Sequence, residues 1–293
     1  MLLKLGSKGK EVEFIQYSLG LKVDGDFGKI TEDAVIAFQK SKNIKADGVV
    51  GDTTWGILKG ATTDSQEKTY TTSNGLIVNK YYLPKGEYLE GPTKKEYCFL
   101  HHTAGWNNPY NQVDSWGRDT RGKVGTEFIL GGNSITGDTK YDGIMLQAIP
   151  KGGYGWHLGE NGSQFMHEHS VAIELCNFGW VKDGKTYTGA KVDPKQIVTL
   201  DQEFRGYKSW HLYSPSQLES LKKWILFIAE RDNIDVRKGL IEWIKKEGPF
   251  KAFDFKSDAF YGKIKGEILH TNTRNDKFDL SPQPDLIDML LSI

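Results

Sequence analysis

Apolar positions recur with helical spacing in the first sixty residues. Val12, Ile15 and Leu19 stand at i, i+3 and i+7, with Ser7 placed as a cap, and Ile30, Ala34 and Phe38 stand at i, i+4 and i+8. Trp55 and Leu58 begin a third, shorter helix. From Gly75 onward the pattern changes. Residues 96–100, 125–132, 144–149 and 170–176 are dense apolar runs that read as strands, and residues 267–269 read as the end of another. Ser214-Pro215-Ser216-Gln217 combines a cap, a first-turn Pro and a third-position Gln, and Leu218, Leu221, Ile225 and Ile228 follow as a buried stripe. Further helices are predicted over 236–246 and 284–291. Strands interspersed with helices predict an α/β domain with a central mixed β-sheet flanked by helices, preceded by a small all-α three-helix domain.

The N-terminal part also repeats itself. Asp24-Gly25, Gly28 and Thr31 recur as Asp47-Gly48, Gly51 and Thr54, 23 residues later. Each Asp-Gly makes a turn, and each Thr is placed to cap the next helix. Three helices of this size bury a small core, marginal but feasible alone. Residues 61–74 are Thr/Ser-rich and aperiodic, so they read as a tether. The expected organisation is a helical domain over 1–60, a linker over 61–75 and a second domain over 76–293.

Composition narrows the function. Among 293 residues, 38 basic side chains balance 38 acidic ones, which removes the electrostatic case for nucleic acid or an anionic membrane surface. The opening Met1-Leu2-Leu3-Lys4 is too short in apolar residues for a signal peptide, and no run reaches the roughly 18 needed to span a bilayer. Synthesis in the cytoplasm as a soluble chain is expected. Cys98 and Cys176, each inside an apolar run, read as buried free thiols.

The chemistry gathers near the C-terminus. His270 follows a strand end, and Asp279 lies nine residues later with Lys277 two places before it. A histidine and a carboxylate suit zinc, but the same residues also describe a solvated loop unless a distant segment supplies a third ligand. His101, ending residues 96–100, is such a ligand, although seven histidines allow many triples.

Two resemblances sharpen this reading. L-x-L-G-S-K-G-x-E-V, the two D-G-x-x-G-x-x-T units and Phe38-Gln39 resemble a three-helix peptidoglycan-binding domain. The strand followed by H-H-T-A at 101–104, G-W-H-L-G at 155–159, H-S-V-A-I-E-L at 169–175 and K-x-D at 277–279 are together similar to the zinc-dependent N-acetylmuramoyl-L-alanine amidases, whose fold is shared with peptidoglycan-recognition proteins. The resemblance implies zinc ligands at His101, His270 and Asp279, a general base at Glu174, an oxyanion-stabilising cation at Lys277 and substrate contacts from Trp156 and His157. His102 matches a position that binds no metal. Residues 125–128 lack the tyrosine that another branch of the family uses, and Leu280-Ser281 stand where Pro-Gly usually follows the K-x-D motif. Segments 178–213 and 236–263 exceed the family core and read as surface elaboration, the alternative being that they shape the substrate groove. The implied activity is hydrolysis of the amide joining N-acetylmuramic acid to L-alanine, on bacterial peptidoglycan, by a monomer acting on the cell wall as a phage endolysin does. The alternatives are a catalytically silent peptidoglycan-binding or sensing protein and a peptidoglycan endopeptidase.

Overall fold

The computed structural model describes residues 2–19, 21–42, 44–60, 69–159 and 162–293. The chain divides into two compact units, Met1–Gln66 and Glu67–Ile293.

In the first unit α1 (Lys10–Ser18), α2 (Lys29–Ser41) and α3 (Asp52–Gly60) close on Val12, Ile15, Phe27, Val35, Val50 and Leu58. The repeat is held together by a pair of residues that its glycines do not reveal. Gln16 and Gln39, also 23 apart, are buried under the two Asp-Gly turns. Gln16 Oε1 accepts from the N–H groups of Asp24 (3.0 Å) and Gly25 (2.9 Å), and its Nε2 donates to Asp24 Oδ1 (2.7 Å) and Thr31 Oγ1 (3.1 Å). Gln39 does the same for Gly48 N–H (2.9 Å) and Thr54 Oγ1 (3.1 Å). Gly25 and Gly48 turn at φ 71° and 72°, where a side chain would be strained. Thr31 and Thr54 are therefore buried acceptors inside helices rather than caps. Ser7 is not a cap either; it accepts from Lys4 N–H at 3.0 Å. Because Gln39 must point inward, α2 buries Thr31, Val35 and Gln39, and Ile30 is left 76% exposed.

The second unit opens with β1 (Thr69–Thr71) and β2 (Ile77–Lys80), an antiparallel pair. Residues 61–68 of the expected tether lie outside the described residues. Its remainder is ordered: Tyr70 packs on Phe227 at 6.4 Å, and Asn74 Nδ2 donates to the Lys223 carbonyl at 2.7 Å. Next come β3 (Leu89–Glu90), β4 (Tyr97–His102), α4 (Pro109–Trp116), β5 (Phe128–Leu130), β6 (Met145–Gln147), β7 (Gly153–Tyr154), α5 (Gln164–Glu168) and β8 (Ser170–Leu175). A small antiparallel sheet of β9 (Trp180–Val181), β10 (Ile197–Phe204) and β11 (Tyr207–His211) follows. The unit then runs through α6 (Pro215–Asp232), α7 (Leu240–Glu247), α8 (Pro249–Ala252), α9 (Ser257–Phe260), β12 (Glu267–Leu269), α10 (His270–Thr273) and α11 (Pro284–Leu291).

Seven strands form the main sheet in the order β1-β2-β6-β5-β8-β4-β12. It is mixed: β5, β8, β4 and β12 are parallel neighbours, and β5 and β6 are antiparallel. Helices cover both faces, which explains why β4 and β8 read as continuous apolar runs. On one face Leu100, Ile173 and Leu269 meet Leu218, Leu221, Ile225 and Ile228 of α6, all buried. Each such side chain contributes about 1.5–3 kcal/mol. Ser214 caps α6, its Oγ accepting from Gln217 N–H at 3.0 Å. The helix expected from 236 begins only at Leu240, because Gly239 bridges to Glu267 with a φ of 86° that no helix continues. Cys98 and Cys176 are buried and unpaired.

Candidate metal centre

Parallel strands in register line up their equivalent positions. Leu100 pairs with both Ile173 and Leu269, and one residue on His101 pairs with Glu174. His270 follows Leu269 directly and opens α10. Alternation sends His101 and Glu174 to the face opposite α6, the face on which Phe99, Ala172 and Ile268 cluster. The site thus stands at the carboxyl ends of β4, β8 and β12, where side chains clear the last hydrogen-bonded residues.

Three donor atoms meet there. His101 Nδ1 lies 3.0 Å from His270 Nδ1, His270 Nδ1 lies 3.1 Å from Asp279 Oδ2, and His101 Nδ1 lies 3.4 Å from the same oxygen. Ligand atoms at 2.0–2.2 Å from one tetrahedral zinc would be about 3.3–3.6 Å apart, so this buried triangle is close to the base of such a tetrahedron. Two nitrogens and one oxygen also match zinc's ligand preference.

A relay of hydrogen bonds fixes the tautomer of His101. Its Nε2 lies 3.0 Å from His157 Nδ1, His157 Nε2 lies 2.7 Å from Ser170 Oγ, and that hydroxyl donates to the His167 carbonyl at 3.3 Å. A carbonyl can only accept, which sets the direction of the chain. Ser170 spends its hydrogen on His167, so His157 Nε2–H donates to Ser170, His157 Nδ1 accepts, and His101 carries its hydrogen on Nε2. The Nδ1 lone pair of His101 is left facing the triangle. Burial, with His270 nearby, lowers the His101 pKa to about 4, so its ring is neutral as a ligand must be. Burial pushes Asp279 up, but its electrostatic interactions with the surrounding histidines, His270 foremost, hold it well below the usual carboxylate range.

Glu174 stands beside the triangle. Its Oε2 is shielded from solvent and has no hydrogen-bond partner among the described residues. Burial first, and then the charge of Asp279, push its pKa well above the ordinary value, while Lys277 pulls it down. Lys277 is half-buried and near enough to act on both Glu174 and His101.

The expected cleft pair splits. Trp156 is half-buried, its ring edge-on to His167 at 4.8 Å. His157 is not a surface of the cleft: it is buried behind His101, and both its ring nitrogens are engaged in the relay. His102 points to the other face, 3.4 Å from Tyr213 Oη. His167 and His169 belong to α5 and its C-cap, where Ser163 caps the helix by accepting from Met166 N–H. His211 is packed, accepting from Phe178 N–H at 3.3 Å. Ser170 and the relay function of His157 escaped the sequence reading; H-S at 169–170 gave no sign that the serine faces a histidine 13 residues earlier.

Fold and site together define an α/β protein with a two-histidine, one-carboxylate centre at the carboxyl ends of parallel strands. A family profile described as N-acetylmuramoyl-L-alanine amidase matches residues 91–251, and the chain belongs to that family. A second profile, for a peptidoglycan binding domain, matches residues 11–58. The amidase match contains His101, His157 and Glu174 but stops before His270, Lys277 and Asp279, whose placement rests on geometry alone. The chain is 34% identical over 96 residues to a Bacillus licheniformis protein described as a "probable N-acetylmuramoyl-L-alanine amidase", covering 29% of this chain. It spans 27%, about a quarter, of that relative's length. Among solved structures, it resembles the amidase LysC of Clostridium intestinale over 68% of this chain and 87% of that one, at 12% identity and a TM-score of 0.36. The E. coli amidase AmiD is similar over 50% of this chain and 47% of that one, at 19% identity and a TM-score of 0.32.

Proposed function

We propose that this protein is a zinc-dependent peptidoglycan amidase, hydrolysing the bond between the lactyl group of N-acetylmuramic acid and L-alanine. The observation that carries the reading is the triangle of His101, His270 and Asp279 with a half-buried carboxylate, Glu174, on the adjoining strand, whose Oε2 is shielded and has no hydrogen-bond partner among the described residues. Family membership through residues 91–251 supports the choice of bond.

The three triangle residues would hold the zinc ion, which supplies Lewis acidity to the amide carbonyl and to a water. Glu174 takes up the proton that the water gives up and returns it to the departing amine nitrogen. Burial and the charge of Asp279 raise its pKa, which favours holding that proton, and Lys277 acts in the opposite direction. Lys277 also presents positive charge to the carbonyl oxygen as it becomes an oxyanion. The relay through His157 and Ser170 keeps His101 in one tautomer throughout. Trp156 lines the entrance and contacts substrate.

Residues 1–60 act as the peptidoglycan-binding module and the unit that contains β1 through α11 as the catalytic domain, an arrangement that raises the local concentration of bonds to cut. The substrate is a polymer of glycan strands and stem peptides met at the cell wall by a monomer, as for a phage endolysin. No described helix is long and apolar enough to cross a membrane.

Mass spectrometry of digested sacculi tests the reading. Free stem peptides with a new L-alanine amine are expected. Peptide fragments with the lactyl amide intact would instead mark an endopeptidase, and binding without products a silent receptor.

A further inference from the structure

His101 has a relay behind it, but His270 does not: its outer nitrogen, Nε2, is buried with no hydrogen-bond partner among the described residues. The orientation of His270 therefore depends on the backbone that carries it. That backbone, 270–279, also carries Lys277 and Asp279, and Thr271 N–H donates to the Asp279 carbonyl at 3.3 Å. Something must hold this loop.

The group that does so comes from the far side of the small sheet. Arg205 and Gly206 are the two turn residues between β10 and β11, with Phe204 paired to Tyr207. Their φ values are 54° and 84°. A two-residue hairpin with both φ positive favours Asn-Gly or Gly-Gly, and an arginine there costs backbone energy. Backbone strain at one residue directs attention to what its side chain does. The guanidinium of Arg205, with its side chain 10% exposed, donates from Nη1 to the carbonyls of Arg274 (3.3 Å) and Asn275. From Nη2 it donates to the Thr271 carbonyl (3.3 Å) and to Asp254 Oδ1 (2.7 Å). Three carbonyls of the ligand-bearing loop thus converge on one planar fork, and Asp254 orients it from the segment after α8. Beside it Tyr207 meets Phe278 edge-on at 5.8 Å.

We infer that Arg205 is a positioning residue for the metal centre, and that the segments 178–213 and 236–263 serve this bracing role rather than surface elaboration. Arg205 touches no reacting atom. It fixes the loop so that His270 and Asp279 keep the 3.1 Å separation seen here before any ion arrives. The inference rests on the reading of the triangle as a metal site, not on which bond is cut.

The test uses the full chain with Arg205→Asn and Arg205→Lys, and Asp254→Asn as a milder third variant. Asn suits the turn better than Arg, which offsets part of the loss of the four hydrogen bonds, so Arg205→Asn should remain folded, checked by circular dichroism and a cooperative melt. Zinc affinity, measured by competition with a chelator, should nevertheless fall about 10–100-fold, the usual loss when an outer support of a ligand is removed. Arg205→Lys should also lose affinity, since an ammonium cannot reach three carbonyls at once, and Asp254→Asn should lose less than either. In zinc-free protein the amide of Arg274, bonded to the His270 carbonyl at 3.1 Å, should exchange faster in Arg205→Asn than in wild type. A folded Arg205→Asn protein with zinc affinity within twofold of wild type overturns the inference. If wild type binds zinc tightly but cuts no muramyl amide, the proposed activity fails while the brace stands.

Discussion

Glu174 sits where two requirements meet. A general base must be unprotonated at rest, yet burial and the neighbouring Asp279 push Glu174 the other way, and only nearby positive charge from Lys277 opposes them. A bound divalent cation would act in the same direction as Lys277. Glu174→Gln keeps shape and burial but removes the base, so it should retain one zinc per chain and lose about 10²–10⁴ in kcat. Turnover close to wild type would end its assigned role. Asp279→Ala should abolish stoichiometric zinc, measured by metal analysis after dialysis; unchanged content would mean the triangle is not the site. His157→Phe tests the relay, because a ring that cannot accept from His101 should weaken zinc binding about 10–100-fold while the fold persists. At this scale the grouping of His101, His270 and Asp279 was legible in the sequence through the family resemblance, since the motifs that carry it are short and local. His157 stands behind His101, with both ring nitrogens engaged, rather than on an open cleft surface. Its work depends on Ser170 and His101, partners separated from it by 13 and 56 residues.

Elements show the same division. α6 read off its cap and stripe because both signals are local, and α11 spans Pro284–Leu291 as predicted. α2 did not, since its face is set by a buried polar residue that hydrophobic periodicity ignores. The two glutamines should be separately necessary. Gln39→Ala would leave the Gly48 N–H without its acceptor, at about 1–3 kcal/mol. Amide exchange of Gly48 should accelerate while that of Gly25, under the intact Gln16, changes less. Equal acceleration at both turns would mean that the two halves of the repeat open together. Nor did local pattern reveal the β10–β11 turn as a functional element, because Arg-Gly between strands says nothing of the loop 66–70 residues away that the arginine reaches.

Across the whole second unit, one buried acid shapes the response to pH. Glu267 in β12 is fully buried, and neither carboxylate oxygen has a hydrogen-bond partner among the described residues. Burial alone pushes its pKa up to about 8. The unfolded chain releases this proton near the ordinary value of 4.5, whereas the folded chain keeps it until about pH 8. Folding therefore binds a proton in this window, and the stability contributed by Glu267 falls as pH rises from about 4.5 to about 8, then levels off. Glu267→Gln removes that dependence. Its urea midpoint should gain on wild type steadily across the window, and a constant difference between the two would refute the assignment.

The strands that carry His101, Glu174 and His270, the helices α6 and α11, the division into two units, the candidate ligands and the family resemblance follow from the chain alone, because each rests on short-range periodicity or on motifs a few residues long. The metal geometry, the direction of the His101 relay, the inward face of α2 and the bracing of the ligand loop by Arg205 came only with the tertiary structure. All four depend on polar groups finding partners across long stretches of chain. Hydrophobic pattern marks which residues leave water, but not which buried donor meets which acceptor.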